Sequence, residues 1–244
     1  LWKVTDALGK VTETLGHDGA GRPVSVTESN GVITDYEYHA RGWLTARKVR
    51  GTNDATESDD LVTHFEYWPT GLVKKVTQPD GTFLSFTYDT AHRLTRITDK
   101  AGYYIEYTLD NAGNRVLEET RNPTGSTLYR TLSRLYNALG QLETQADAAS
   151  NPTDFAHGAS GNLTKVTDAL GREAAHDYDP LDRLKRSLQD VDGLEAETAY
   201  EYDALDNLTK VTDPKGLETV YTYNGFGDLT QLASPDTGTT TYTY

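Results

Sequence analysis

The sequence contains no cysteine and no methionine. The first absence excludes disulfides and any cysteine-ligated zinc or iron–sulfur site; it suits oxidising and reducing compartments alike and so assigns neither. The second, with leucine as the first residue, gives the expectation that the chain is an excised piece of a longer protein. No stretch approaches the ~18 apolar residues of a membrane span, and no N-terminal apolar segment has the form of a signal peptide. Cations are scarce: 23 Lys and Arg stand against 37 Asp and Glu, a formal net charge of −14. That balance argues against a nucleic-acid partner, whose phosphates select for excess Lys and Arg. The hydrophobic fraction of 36%, even with 21 Gly added, is too lean for a thick core of two fully apolar layers.

What the sequence has in abundance is repetition, the first thing to seek in a chain of this kind. Of its sixteen Tyr, thirteen recur at two fixed positions of one register. Anchored on a residue that precedes a turn, the chain aligns at His17, Tyr38, Tyr67, Tyr88, Leu109, Tyr136, His157, Tyr178, Tyr202, Tyr223 and Tyr244, and seven of the ten spacings are 21 residues. The three longer spacings carry loop insertions, placed near 51–60, 121–130 and 189–193. The whole of 1–244 thus reads as one region of about ten 21-residue repeats.

Each anchor opens the same turn. Asp18, Asp89, Asp110, Asp179 and Asp203 follow it directly, with Asn137 and Asn224 as substitutes; these side chains bond backbone amides two residues on and start turns. Three positions later stand Gly21, Gly42, Gly71, Gly113, Gly140, Gly161 and Gly227, or else His92, Asp182 and Asp206. Those three are among the few non-glycine types that tolerate positive φ, so one requirement, a left-handed backbone, accounts for the whole set. A second turn follows, as in DALG (6–9 and 168–171), QPDG (78–81) and DPKG (213–216).

Two residues before the anchor, eight of eleven positions are Phe or Tyr, and the residue between is mostly Glu, Asp or Thr. Period-two alternation predicts a strand with one aromatic and one wet face, and 36 Thr favour strand over helix. The strand after the turn reads Leu-Thr-Lys-Val-Thr, as at 208–212. If each Tyr faces the Leu six residues on, Phe86 pairs with Arg96 and Tyr200 with Lys210 in cation–π contacts. About twenty strands at ~4.8 Å exceed what a flat open sheet sustains. The fold expected is therefore all-β: an array of antiparallel hairpins in a curved, spiralling single-layer sheet.

The segments YDTAHRLTRITDKAG (88–102), YDPLDRLKR (178–186), YDALDNLTKVTDPKG (202–216) and YNGFGDLTQL (223–232) resemble the Rhs/YD-repeat family. The resemblance spans essentially the whole chain and rests on the repeat signature of Tyr38, Tyr67, Tyr88, Asp89, Gly113, Tyr136, Gly140, Gly161, Tyr178, Asp179, Tyr202, Asp203, Tyr223 and Gly227. It implies a segment of a hollow shell. In bacterial polymorphic toxins and toxin-complex components such a shell encloses a C-terminal toxin; the animal relatives, the teneurins, are cell-surface adhesion proteins. It implies as partners the remainder of the chain's own shell and an enclosed toxin domain, and a secreted or cell-surface location. Family toxins often end the shell with a self-cleaving segment of paired DPxG motifs; here Asp179-Pro180 and Asp213-Pro214 lie inside ordinary repeat turns, so no catalytic Asp is carried over. An extracellular adhesion or carbohydrate-binding module is the alternative function.

Other candidates have repeat explanations. His17 and His157 occupy the anchor position and His176 the aromatic position, as planar rings in place of Tyr, without ligand spacing for a metal. Asp190-Val191-Asp192-Gly193 resembles half a calcium loop, but the remaining ligand pattern is missing. Gly158-Ala159-Ser160-Gly161 is a repeat turn, not a nucleophile elbow. Asn162 and Asn207 head glycosylation sequons, which matter only in a eukaryotic secretory route. No catalytic residue, metal or cofactor is expected. The Tyr faces could stack carbohydrate, with packing against neighbouring strands as the favoured reading. Terminal strands lacking partners are expected either to pair with other copies edge to edge or to fray.

Overall fold

The computed structural model describes residues 3–6, 8–51, 58–191 and 193–244. Among them there is no helix; 22 strands run from Lys3–Thr5 to Gly238–Thr241. The chain divides into two compact units, Leu1–Leu109 with Leu117–Arg130, and Asp110–Val116 with Thr131–Tyr244. In each, consecutive strands pair antiparallel with their sequence neighbours, from Lys3–Thr5 through Tyr104–Leu109 in the first and from Leu128–Tyr136 onward in the second.

Each unit is one layer thick. Among the described residues only Thr34, Ala46 and Tyr107 are buried, with 1%, 3% and 9% of their surface exposed. The chain exposes 15510 Å², whereas two separate compact globules of half its mass would expose roughly 13,000 Å² together. The lean hydrophobic composition has this as its consequence: among the described residues there is no second sheet or helix layer for the strands to cover.

Strands alternate between two kinds. An arriving strand, such as Phe83–Tyr88, ends on the anchor; a departing strand, such as Leu94–Asp99, begins two residues beyond the left-handed position. The anchor pairs with the residue six on: Tyr38 with Leu44, Tyr88 with Leu94, Tyr202 with Leu208 and Tyr223 with Leu229. Immediately after that pair the register shifts by one. Thr87 faces Arg96 and Phe86 faces Ile97; Glu201 faces Lys210 and Tyr200 faces Val211. The expected Phe86–Arg96 and Tyr200–Lys210 pairs are therefore wrong, because a β-bulge inserts one extra residue into the departing strand. Arg96 instead pairs with Glu106 and lies 4.2 Å from the Tyr104 ring, on the following strand. Lys210 bonds Glu201 and Glu218.

The bulged residue is the Thr of the Leu-Thr dipeptide. Its hydroxyl donates to the carbonyl of the residue before the anchor, as in Thr95 to Thr87 at 3.2 Å, Thr164 to Ala156 at 3.1 Å and Thr230 to Thr222 at 3.0 Å. The hydroxyl thereby ties the extra residue back across its own hairpin. The insertion near 121–130 is smaller than expected. Strands Arg115–Arg121 and Leu128–Tyr136 extend into it, and the turn is only Asn122–Thr127, closed by the Asn122 side chain on the Thr127 amide at 3.0 Å. Of the other two insertions, residues 52–57 and Asp192 lie outside the described set.

Candidate functional site

The repeat-signature residues meet at the anchor turns, which all lie along one edge of each unit's sheet. In each turn the fourth residue's N–H donates to the carbonyl of the first, and the first residue's N–H to the carbonyl of the fifth: Gly21 to Asp18 at 2.9 Å, Asp18 to Arg22 at 2.9 Å. This is a type I turn closed by a left-handed residue. At all ten such positions φ is positive, from +61° at Asp182 to +97° at Gly113, with His92 at +64° and Asp206 at +66°.

The Asp after the anchor works as a three-point clamp. One carboxylate oxygen of Asp179 accepts the N–H groups of Leu181 and Arg183 at 2.9 and 3.0 Å, and the other accepts Arg183 Nε at 2.7 Å. Asp18, Asp89 and Asp203 repeat the pattern, the last with Asn207 in place of Arg. The side-chain bond from Arg22 holds the Asp18 carboxyl below the usual aspartate range, and that from Asn207 does the same for Asp203. For Asp89 the Arg93 amide is the main cause. In Asp179 burial opposes the shift, but the bonds from Arg183 outweigh it. Asn162 and Asn207, the sequon residues, spend their side-chain amides on Asp182 and Asp203.

The anchor Tyr reaches backward. Its hydroxyl donates to the carbonyl that opens the departing strand of the preceding hairpin: Tyr38 to Pro23, Tyr67 to Leu44, Tyr88 to Val73, Tyr178 to Leu163, Tyr202 to Leu184 and Tyr223 to Leu208, all at 2.8–3.0 Å. Tyr136 to Arg115 is longer at 3.4 Å, and Tyr244 to Leu229 is 3.1 Å. Burial pushes the phenols of Tyr67, Tyr88 and Tyr202 up. The polar residue closing one turn also laps the next anchor, with Arg22 4.5 Å from the Tyr38 ring and Arg183 4.8 Å from that of Tyr202. Arg183 further bonds Asp203 O and Asp206 in the next turn. The anchor Tyr thus joins successive hairpins, and its hydroxyl is spent in doing so.

Among the described residues no three His, Asp or Glu side chains converge as metal ligands. His157 pairs with Leu163 as an anchor does, and His176 lies on the strand Glu173–Tyr178 with Nδ1 enclosed and without a hydrogen-bond partner. His176 borders a cleft of about 800 Å³, a polar hollow that Asp177, Lys185, Arg186 and Glu197 also line.

Sequence reasoning missed an aromatic cluster on the first unit. His39 stacks on Trp43 at 5.2 Å, Trp43 meets Tyr67 at 5.3 Å, and Trp68 stands 40% exposed beside them. The signal was present: among the turns whose opening residue is usually Asp or Asn, two successive ones carry His39 and Trp68.

With this geometry established, the relatives agree. The RHS repeat family model matches residues 17–53, 67–103, 136–173, 159–195, 178–218 and 202–239, more than half of the chain, and the chain belongs to that family. It is 29% identical over 169 residues to the double-stranded DNA deaminase toxin A of Burkholderia cenocepacia (strain H111), a match covering 66% of this chain and 10% of that protein. Its fold is similar to chains in the Tc holotoxin pore of Photorhabdus luminescens (TM-score 0.64, 18% identity, 98% of this chain and 16% of that one) and in the TcdB2-TccC3-Cdc42 crystal structure (TM-score 0.61, 16% identity, 99% and 16%). The chain spans about a tenth of the curated relative and about a sixth of the solved chains.

Proposed function

We propose that the chain is a non-catalytic wall segment of a secreted toxin, a length of shell whose role is to enclose a toxin domain carried by the same polypeptide. The observation that carries this reading is the consumption of the signature residues by the wall itself: Asp side chains clamp turns and Tyr hydroxyls join hairpins. The family membership and the toxin named as a relative support it. The partners in this reading are further repeats of the same shell and the enclosed domain. Among the described residues the strand Lys3–Thr5 is bonded only to Val11–His17, and Gly238–Thr241 only to Leu229–Ser234. Those edges would continue into more shell in the parent protein; on the isolated chain they invite pairing with other copies. Light scattering at rising concentration should show association, or hydrogen exchange should show frayed terminal strands; a strictly monomeric particle with both terminal strands protected would refute that part.

The enclosure is tested in the parent polypeptide by limited proteolysis. The non-repeat domain should resist cleavage while the repeats are folded and become sensitive under mild denaturant at the point where the sheet melts. Equal cleavage rates in the folded and melted states would overturn the reading.

A further inference from the structure

The ten anchor turns of this chain act as internal controls for one another. Seven open with Asp or Asn. Trp68 cannot clamp the amides that those residues bind, yet the turn keeps its backbone bonds, Trp68 N–H to Leu72 O at 2.8 Å and Gly71 N–H to Trp68 O at 2.9 Å. The substitution gives up capping bonds that the neighbouring turns retain. In return it places a 40% exposed indole between two clefts, of about 510 and 400 Å³. The lower figure is near the small end, and both lie within the span, of typical small-ligand sites, roughly 300–1,000 Å³. Trp68 Nε1 reaches Phe86 O at 3.4 Å, which fixes the ring's orientation. In the preceding turn His39 and Trp43 replace the Asp–Arg pair of other turns by a ring stack.

Charge is inverted here. On a chain of net charge −14, the larger cleft presents Arg41 and Lys74 against Glu66 alone. Neither cation has a carboxylate partner among the described residues. Arg41 lies 5.3 Å from the Trp43 ring and bonds Pro69 O at 2.8 Å, and Lys74 lies 5.2 Å from the Trp68 ring. Across the two clefts the one carboxylate is Glu66, against the two cations. The hydroxyls of Tyr67 and Tyr88 are already spent on Leu44 and Val73. Apolar ring walls with cations at the rim suit a side chain without polar atoms that is flanked by carboxylates.

We propose that the clefts on either side of Trp68 dock an acidic segment of a separate polypeptide, inserting a proline or aromatic side chain against the indole while Arg41 and Lys74 take its flanking carboxylates. This stands apart from the shell reading, since a wall needs no such site.

The test is calorimetric titration of the 244-residue chain with the capped peptide Glu-Asp-Pro-Phe-Glu-Asp. Trp68→Asp restores the turn residue found in other repeats, so it should fold as well as the parent by far-UV circular dichroism while binding at least tenfold more weakly. Lys74→Glu should weaken binding to a similar degree, and the charge-reversed peptide Lys-Arg-Pro-Phe-Arg-Lys should bind at least tenfold less tightly to the unaltered chain. The proposal is overturned by no binding of the acidic peptide at millimolar concentration, by unchanged affinity in both variants, or by trigalacturonate binding as tightly and being lost in the same variants.

Discussion

At Gly227, φ is +85° and the nearest atom to an added Cβ would be Asn207 Oδ1 at 3.7 Å, an ordinary contact. Space is therefore available, and any penalty on substitution comes from the backbone alone. Gly227→Val should destabilise by about 1–2 kcal/mol more than Gly227→Asn, because Asn tolerates the left-handed region and a β-branched residue does not. Equal melting temperatures would contradict the assignment. Tyr202→Phe removes only the bond to Leu184 O. It should cost about 1 kcal/mol, measured by urea unfolding, with the arriving strand otherwise intact. A loss indistinguishable from zero would mean that the phenol contributes by packing alone. At this scale the sequence was legible: His92, Asp182 and Asp206 replace Gly because they share its tolerance, and the structure puts φ between +61° and +66° at all three.

At the scale of the hairpin, reading was less complete. The pairing of each Tyr with the residue six on follows from turn length and alternation. The register beyond it does not, because the bulge at Thr95, Thr209 or Thr230 has no signature in a period-two pattern that is already weak in the departing strand. Its visible trace was the recurrent Thr after Leu, which reads as ordinary strand propensity until the hydroxyl is seen bonding back across the hairpin. Thr230→Val keeps the shape and removes that bond. It should lose roughly 0.5–1.5 kcal/mol and raise amide exchange near Thr222 and Tyr223, whereas Thr230→Ser should largely restore protection. Unaltered exchange in the Val variant would show that the bulge holds without it. The aromatic cluster was overlooked for a related reason. A search for what the repeats share passes over the two turns where they differ, His39 and Trp68.

At the scale of the molecule, stability is assembled from many like contributions, since only three of the described residues are buried. The carboxyls of Asp18, Asp89, Asp110, Asp179 and Asp203 in the anchor turns, and of Asp147 and Asp168, which accept the same pair of amides in second turns, are all held below the ordinary aspartate range. A group whose pKa is lower folded than unfolded contributes stability at pH above the unfolded value, and that contribution is lost as pH falls through the folded value. The chain should therefore keep its full melting temperature near neutrality and lose it steeply as pH drops below about 4. Replacing Asp203 with Asn should flatten the steepest part of that curve; an acid profile unchanged in the variant would remove the clamps as its cause.

The bond from each Tyr to the hairpin behind it ends on a main-chain carbonyl. The residue contributing that oxygen is Pro23, Leu44, Val73, Arg115, Leu163, Leu184, Leu208 or Leu229, so the joint asks nothing of the accepting side chain. A lock that accepts any neighbour makes each repeat exchangeable. Genes encoding such chains can gain, lose or shuffle whole repeats by unequal recombination without first evolving matched surfaces. The direction of the bond also suits synthesis: each hairpin with a Tyr anchor leaves the ribosome carrying its own fastener to the one already made.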